Sequence, residues 1–202
     1  MSTTPDQMDL PFVKEEIERL HPLLSPYVET TVLQNPRKEE VLSELPNHDI
    51  VHFACHGFAA NDPSQSTLLL NDWKTDPLTV TDLAARNNPF AGFAYLSACN
   101  TSGMRDFRLL DESISLSSAV QQAGYSSVVG TLWQVSDLES SSIAQQVYSF
   151  MVGEDKKLDI KRAAEGLHWA VQKLRESKPR TNLTRRNCND PLIWVPYMHI
   201  GI

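Results

Sequence analysis

Two residues in this chain could do nucleophilic chemistry together. His56 ends the run VHFACH ahead of Gly57, and Cys99 ends the run FAYLSAC. A thiol becomes a strong nucleophile only as the thiolate, and a nearby imidazole can take its proton, so a Cys–His pair is the minimum for cysteine-based acyl transfer. Gly57 adds no side-chain bulk beside His56, so its N–H could approach a substrate carbonyl and stabilise an oxyanion. Taken singly, a Cys after a strand is usually a small buried hydrophobe and a His at a strand end is usually structural. The joint pattern, an apolar strand ending in His–Gly followed by an apolar strand ending in Ala–Cys, is far more specific.

The other candidate ligands and nucleophiles read as bland. His52 and His56 would share one face of a continuous strand, with Cys55 on the other. A His52–His56–Cys99 metal site is geometrically conceivable, but no fourth ligand or ligand-type spacing accompanies it, and no metal or cofactor is expected. Cys55 is expected in the core. Cys188, after Arg185-Arg186-Asn187, is read as incidental. Three cysteines without a CxxC pair argue against a disulfide framework or a cysteine-rich zinc site, and for a reduced, cytoplasmic compartment. The sequons at Asn100-Thr101-Ser102 and Asn182-Leu183-Thr184 are then chance matches. The basic cluster from Lys178 to Arg186 reads as a solvated loop.

The elements that must position the pair follow from periodicity. Val13, Ile17, Leu20 and Leu24 recur at helical spacing, with Glu15, Glu16 and Glu18 assigned mostly to the outer face and Pro22 and Pro26 breaking the helix near its end. The β-branched run from Val28 to Leu33 predicts a short strand, and Asn35-Pro36 a cap and first helical residue ahead of Val41, Leu42 and Leu45. Ile50 to Cys55, Phe93 to Leu96 and Ser127 to Leu132 are nearly continuous apolar runs, the pattern of strands covered on both faces. Leu68 to Leu70 predicts a further strand, and Thr79 or Thr81 the cap of a short helix. Residues 100 to 111 are expected as a mobile loop. Helices are predicted from Ile114 to a stop at Gly124, from a Ser136…Glu139 capping box through Phe150, and from Leu158 to Ser177. The tail from Pro191 to Ile202 is expected to be packed down. Strands alternating with helices predict a mainly parallel sheet with helices on both faces, whose ligand and catalytic groups gather at the carboxyl ends of strands.

Composition bounds the function. With 202 residues, 41% hydrophobic and 21% charged, the chain is long enough for one real core, and disordered or collagen-like classes are excluded. A net charge of −7 gives no general attraction for nucleic acid or anionic membrane. No apolar run approaches a membrane span, and MSTTPDQMDLPF has neither the basic nor the apolar part of a signal peptide.

Almost the whole chain resembles a CHAT domain, the caspase-like module often found with tetratricopeptide repeats, within the caspase, gingipain and separase group of cysteine peptidases. The blocks HFACHG, LSAC and AGYSSVVGTLW carry the resemblance most specifically; LPFVKEEIERL, LPNHDIVHFACHG, PSQSTLLLNDW, LLDESISLSSAVQQAGYSSVVGTLWQVSD, AAEGLHWAVQKLR and WVPYMHIG extend it. The resemblance implies one caspase-like domain over residues 1–202, with His56 as base, Cys99 as nucleophile and an oxyanion hole at Gly57 and Cys99. Asp137 matches a family acid facing the substrate pocket, with a helix N-terminal Asp as the alternative. Glu112 matches a frequent acid that braces the active-site loop, or else simply favours its helix N-terminus. Ser115 stands where relatives often carry His, which bears on loop architecture rather than on the pair.

The implied activity is a cysteine endopeptidase acting on protein or peptide substrates through an acyl-enzyme, within a larger regulated signalling protein that carries repeat or NTPase modules. The alternative is a binding or scaffolding module without turnover, which would have no need of both His56 and Cys99. Nucleotide binding is set low, because neither G-x-G-x-x-G nor a P-loop is present. In relatives the segment matched by Thr3-Thr4-Pro5 follows a buried apolar strand. The sheet is therefore expected to lack its first strand, leaving the chain poorly soluble and weakly active until an upstream apolar strand is added.

Overall fold

The computed structural model describes residues 1–58, 60, 62–85, 91–97, 99–100, 110–132, 135, 137–176 and 191–202; for 63, 99, 100, 110–115, 137 and 138 the backbone alone is described. Along the chain run α1 (Pro11–Leu24), α2 (Lys38–Glu44), β1 (Ile50–Phe53), β2 (His56–Phe58), β3 (Thr67–Leu69), β4 (Leu78–Thr79), α3 (Val80–Ala84), β5 (Phe93–Leu96), β6 (Cys99–Asn100), α4 (Leu110–Gln122), β7 (Ser127–Thr131), α5 (Asp137–Met151), α6 (Ala163–Glu176), α7 (Pro191–Trp194) and β8 (Tyr197–Gly201). The central sheet has the order β1-β5-β7-β8. β1, β5 and β7 are parallel, as their continuous apolar character predicts, and β8 closes the far edge antiparallel to β7. A second, smaller sheet has the order β4-β3-β2-β6.

Alternation along the strands builds two cores. Phe53, Ala94, Leu96 and Val128 face one side, with Val41 and Leu42 of α2, Leu83 of α3 and Val120 of α4. Phe93, Tyr95 and Val129 face the other, with Leu20 of α1, Val147 and Tyr148 of α5, and Leu167 and Ala170 of α6. The caspase-like expectation of a mainly parallel sheet between helical layers is met. The helix ends follow local rules. Pro11 starts α1, where its missing N–H costs nothing. Thr79 and Asp82 form a reciprocal capping box on α3. Just past α4, Gly124 takes φ 110°, which side chains resist.

Several sequence-level expectations are corrected. Residues 28–33 are irregular rather than a strand, because no strand among the described residues pairs with them. Asn35 adopts φ 52° and α2 starts later, capped at Arg37. Pro22 lies inside α1, whose last turn tolerates it, and Glu16 is buried on the inner face. The first apolar run is split: β1 ends at Phe53, and the chain enters the second sheet at His56. Leu110 to Glu112 are already helical, while residues 101–109 of the expected loop lie outside the described residues. So does Ser136 of the expected capping box. The tail supplies α7 and β8, whose strand the sequence reading did not assign. Among the described residues no helix is long and apolar enough to cross a membrane.

Candidate active site

β1 and β5 both stop at the same level of the central sheet, and both chains continue into the second sheet. Ala54 and Cys55 separate β1 from β2, and Ser97 follows β5 ahead of β6. β2 and β6 then pair in parallel, with His56 opposite Cys99 and Gly57 opposite Asn100. Neighbouring strands lie about 4.8 Å apart, so the two residues singled out in the sequence have adjacent backbones at the carboxyl edge of the fold.

His56 is buried, and its ring is fixed by one bond. Its Nε2 lies 2.7 Å from the carbonyl oxygen of Met8. A carbonyl can only accept, so Nε2 carries the hydrogen, and in the neutral ring Nδ1 is left as the acceptor. Nδ1 is itself buried and has no hydrogen-bond partner among the described residues. The Met8 carbonyl is held close by a small apolar cluster of Leu10, Val13 and Ala54, which ties the segment ahead of α1 to the end of β1. The Met8 side chain is exposed and takes no part.

His52, four residues earlier, occupies a different environment. It is stacked on Tyr95 with ring centroids 4.9 Å apart and an interplanar angle of 5°. Its Nδ1 lies 3.3 Å from the Tyr148 hydroxyl, and its Nε2 lies 3.3 Å from Oε1 of the buried Glu16. The other oxygen of Glu16 accepts from Ser97 Oγ at 3.3 Å, and Ser97 Oγ lies 3.0 Å from Ser140 Oγ. This network joins α1, β1, α5 and the segment directly ahead of β6. Burial, and secondarily the Glu16 carboxylate, push the Tyr148 hydroxyl far up from its ordinary range. The expectation that His52 and His56 share a strand face therefore fails, because the break at Ala54 and Cys55 sends them to different sheets.

Gly57 lies in β2 beside His56. Asp137 is the first residue of α5, which follows β7 at the same carboxyl edge, and Glu112 lies in the first turn of α4. Their side chains, like that of Cys99, lie outside the described ones. Cys188, the cluster from Lys178 to Arg186 and the sequon at Asn182 also lie outside the described residues. Cys55 is buried and free, and burial pushes its thiol up to about 11, the opposite of an activated nucleophile. Sequence reasoning missed two contributors. The Met8 carbonyl belongs to the backbone and has no side-chain signature. The burial of Glu16 was masked by the acidic run around it, although its i+4 relation to Leu20 placed it on the inner stripe.

A search of curated proteins finds no match to this chain. The family model for the CHAT domain matches residues 2–202. The paired ends of β2 and β6 thus lie in the fold that the sequence blocks around His56 and Cys99 implied, and the chain belongs to the CHAT domain family, a caspase-like, peptidase-related group.

Proposed function

We propose that this chain is a cysteine endopeptidase with Cys99 as nucleophile and His56 as base. The observation that carries this reading is the bond from His56 Nε2 to the Met8 carbonyl, which leaves Nδ1 as the proton acceptor on a strand whose Cα partner is Cys99. In the proposed reaction, His56 takes the Cys99 thiol proton and the thiolate attacks the scissile carbonyl carbon. The N–H groups of Gly57 and Cys99 receive the oxyanion. Collapse expels the amine, which takes the proton from His56, and water hydrolyses the thioester. Asp137 selects a basic residue before the cut through a charge-assisted bond, and Glu112 braces the loop that leads from β6 to α4. The substrate is a protein or peptide, and the domain works within a larger regulated, cytoplasmic signalling protein that carries repeat or NTPase modules. Nucleic acid and membrane have no part in it.

A thiol-reactive peptide probe tests the proposal. Labelling at Cys99 that disappears in His56→Ala supports an enzyme. Labelling that is indifferent to His56, or spread equally over Cys55 and Cys188, identifies instead a caspase-like binding module without turnover.

A further inference from the structure

The Met8 carbonyl fixes His56, yet Met8 belongs to neither helix nor strand and its side chain is exposed. Something else must hold that oxygen still. Residues 2–10 form a closed loop. The Ser2 carbonyl accepts from the Leu10 N–H at 2.8 Å. Within the loop, the Thr4 carbonyl accepts from the Gln7 N–H at 3.1 Å, around Asp6 with its φ of 57°. One end of the loop is seated where Leu10 packs with Val13 and Ala54. The tip, Pro5 and Asp6, lies just ahead of Met8 and needs a support of its own.

The turn after β3 grips that tip. Trp73 Nε1 donates to the Pro5 carbonyl at 3.0 Å, and Lys74 Nζ pairs with the Asp6 carboxylate. The turn is itself anchored. The Trp73 N–H donates to the Leu70 carbonyl at 3.3 Å and the Asn71 N–H to the Pro36 carbonyl at 3.0 Å. The Asp72 carboxylate accepts at 3.1 Å from the N–H of Lys38, the first residue of α2. β3 pairs with β2, and Leu69 is the register partner of His56. The contacts thus close a circuit: His56 imidazole, Met8 carbonyl, loop tip, Trp73, β3, and back to the His56 backbone. A support that returns to the strand carrying the histidine fixes the carbonyl relative to that histidine.

The two grips differ in strength. The Lys74 and Asp6 side chains are 53% and 69% exposed, so water and salt screen their attraction. The indole bond is directional and uncharged, and salt does not screen it. We propose that Trp73 is a positioning residue for His56: its indole N–H holds the loop at Pro5, which keeps the Met8 carbonyl on Nε2 and leaves Nδ1 to take a proton. The block PSQSTLLLNDW, which ends at Trp73, thereby gains a role at the site. With the tip released, the imidazole is free to carry its hydrogen on either nitrogen. A ring with its hydrogen on Nδ1 has no lone pair there to accept one. The effect on cleavage rests on the peptidase reading; the effect on the tautomer does not.

Nitrogen NMR of the imidazoles, neutral and in the full chain, tests it beside steady-state kinetics. Wild-type His56 should carry its hydrogen on Nε2 and none on Nδ1. Trp73→Phe keeps an aromatic ring and removes the donor. It should move both His56 nitrogen signals toward those of a ring averaging its two tautomers and leave those of His52 in place. It should also lower kcat about tenfold with KM changed less than about twofold. Lys74→Glu sets a carboxylate beside Asp6 on the surface, and should act in the same direction to a smaller extent; it supplies the test if Trp73→Phe does not fold. A wild-type His56 with its hydrogen on Nδ1 overturns the proposal, as do His56 signals that stay put in every folded variant. So does an unchanged kcat alongside shifted His56 signals. Signals of His52 and His56 that move together, with an earlier urea midpoint, make Trp73 a general stabiliser and overturn the proposal as well. Shifts at His56 alone, in a protein whose wild type cleaves nothing, uphold the clamp and refute the peptidase reading.

Discussion

His52 and His56 are four residues apart on one apolar run, the first half-buried and the second buried, and they have different surroundings. His52 is half-buried, its ring stacked on Tyr95 and its nitrogens facing Tyr148 and Glu16. His56 has one nitrogen held by a backbone carbonyl and the other without a partner among the described residues. The first ring is held by its stack and turns Nε2 to a carboxylate, without a hydrogen bond among the described residues. The second keeps one lone pair for a proton. The two-residue step at Ala54 and Cys55, which moves the chain from one sheet to the other, creates that difference. Residue type alone carries little functional information; an imidazole becomes a base when its neighbours orient one nitrogen and leave the other available.

The largest effect should come from the proposed site. Cys99→Ala should abolish peptide cleavage, and His56→Ala should lower kcat/KM by about three orders of magnitude, with the circular dichroism spectrum unchanged in both. Full cleavage by either variant would break the distinction between the two histidines at its functional end. Next in size, Asp137→Asn should reduce kcat/KM for substrates with Arg or Lys before the cut by about tenfold relative to neutral ones. An unchanged substrate profile would reduce Asp137 to a residue that favours the N-terminus of α5.

The stacked histidine should behave differently. His52→Ala removes a ring packed on Tyr95 and Tyr148 and leaves Glu16 without its neighbour. It should cost about 2–4 kcal/mol in a urea titration while the folded protein still labels at Cys99. Loss of labelling at full stability would contradict a purely structural role. Ser97→Ala, which cuts the link between Glu16 and Ser140, should cost about 1 kcal/mol by the same titration. The smallest effect belongs to Met8→Ala. The carbonyl, not the exposed side chain, holds His56, so stability should move by less than about 0.5 kcal/mol and cleavage should be unaffected. A large loss there would show that the side chain matters after all.

How legible was this in the sequence? Continuous apolar runs announced β1, β5 and β7, because strands covered on both faces tolerate no polar alternation. The Thr79 cap and the Gly124 stop could be read because they depend on residues close by in the chain. The segment 28–33 misled the reading: its β-branched residues favour extended backbone, yet a strand exists only where another strand completes its hydrogen bonds. β8 escaped notice for the converse reason, since its five residues become a strand only through pairing with β7.

The sequence by itself determined the fold class, the family, and the order in which His56 and Cys99 follow their strands, since these rest on local pattern and spacing. Tertiary structure alone decided that His56 and Cys99 are register partners, that a backbone carbonyl from the segment ahead of α1 fixes the imidazole, that Glu16 is interior, and that β1 lies at the end of the order of described strands in its sheet. Each of those depends on segments far apart in the chain meeting in space, and no local preference encodes such a meeting.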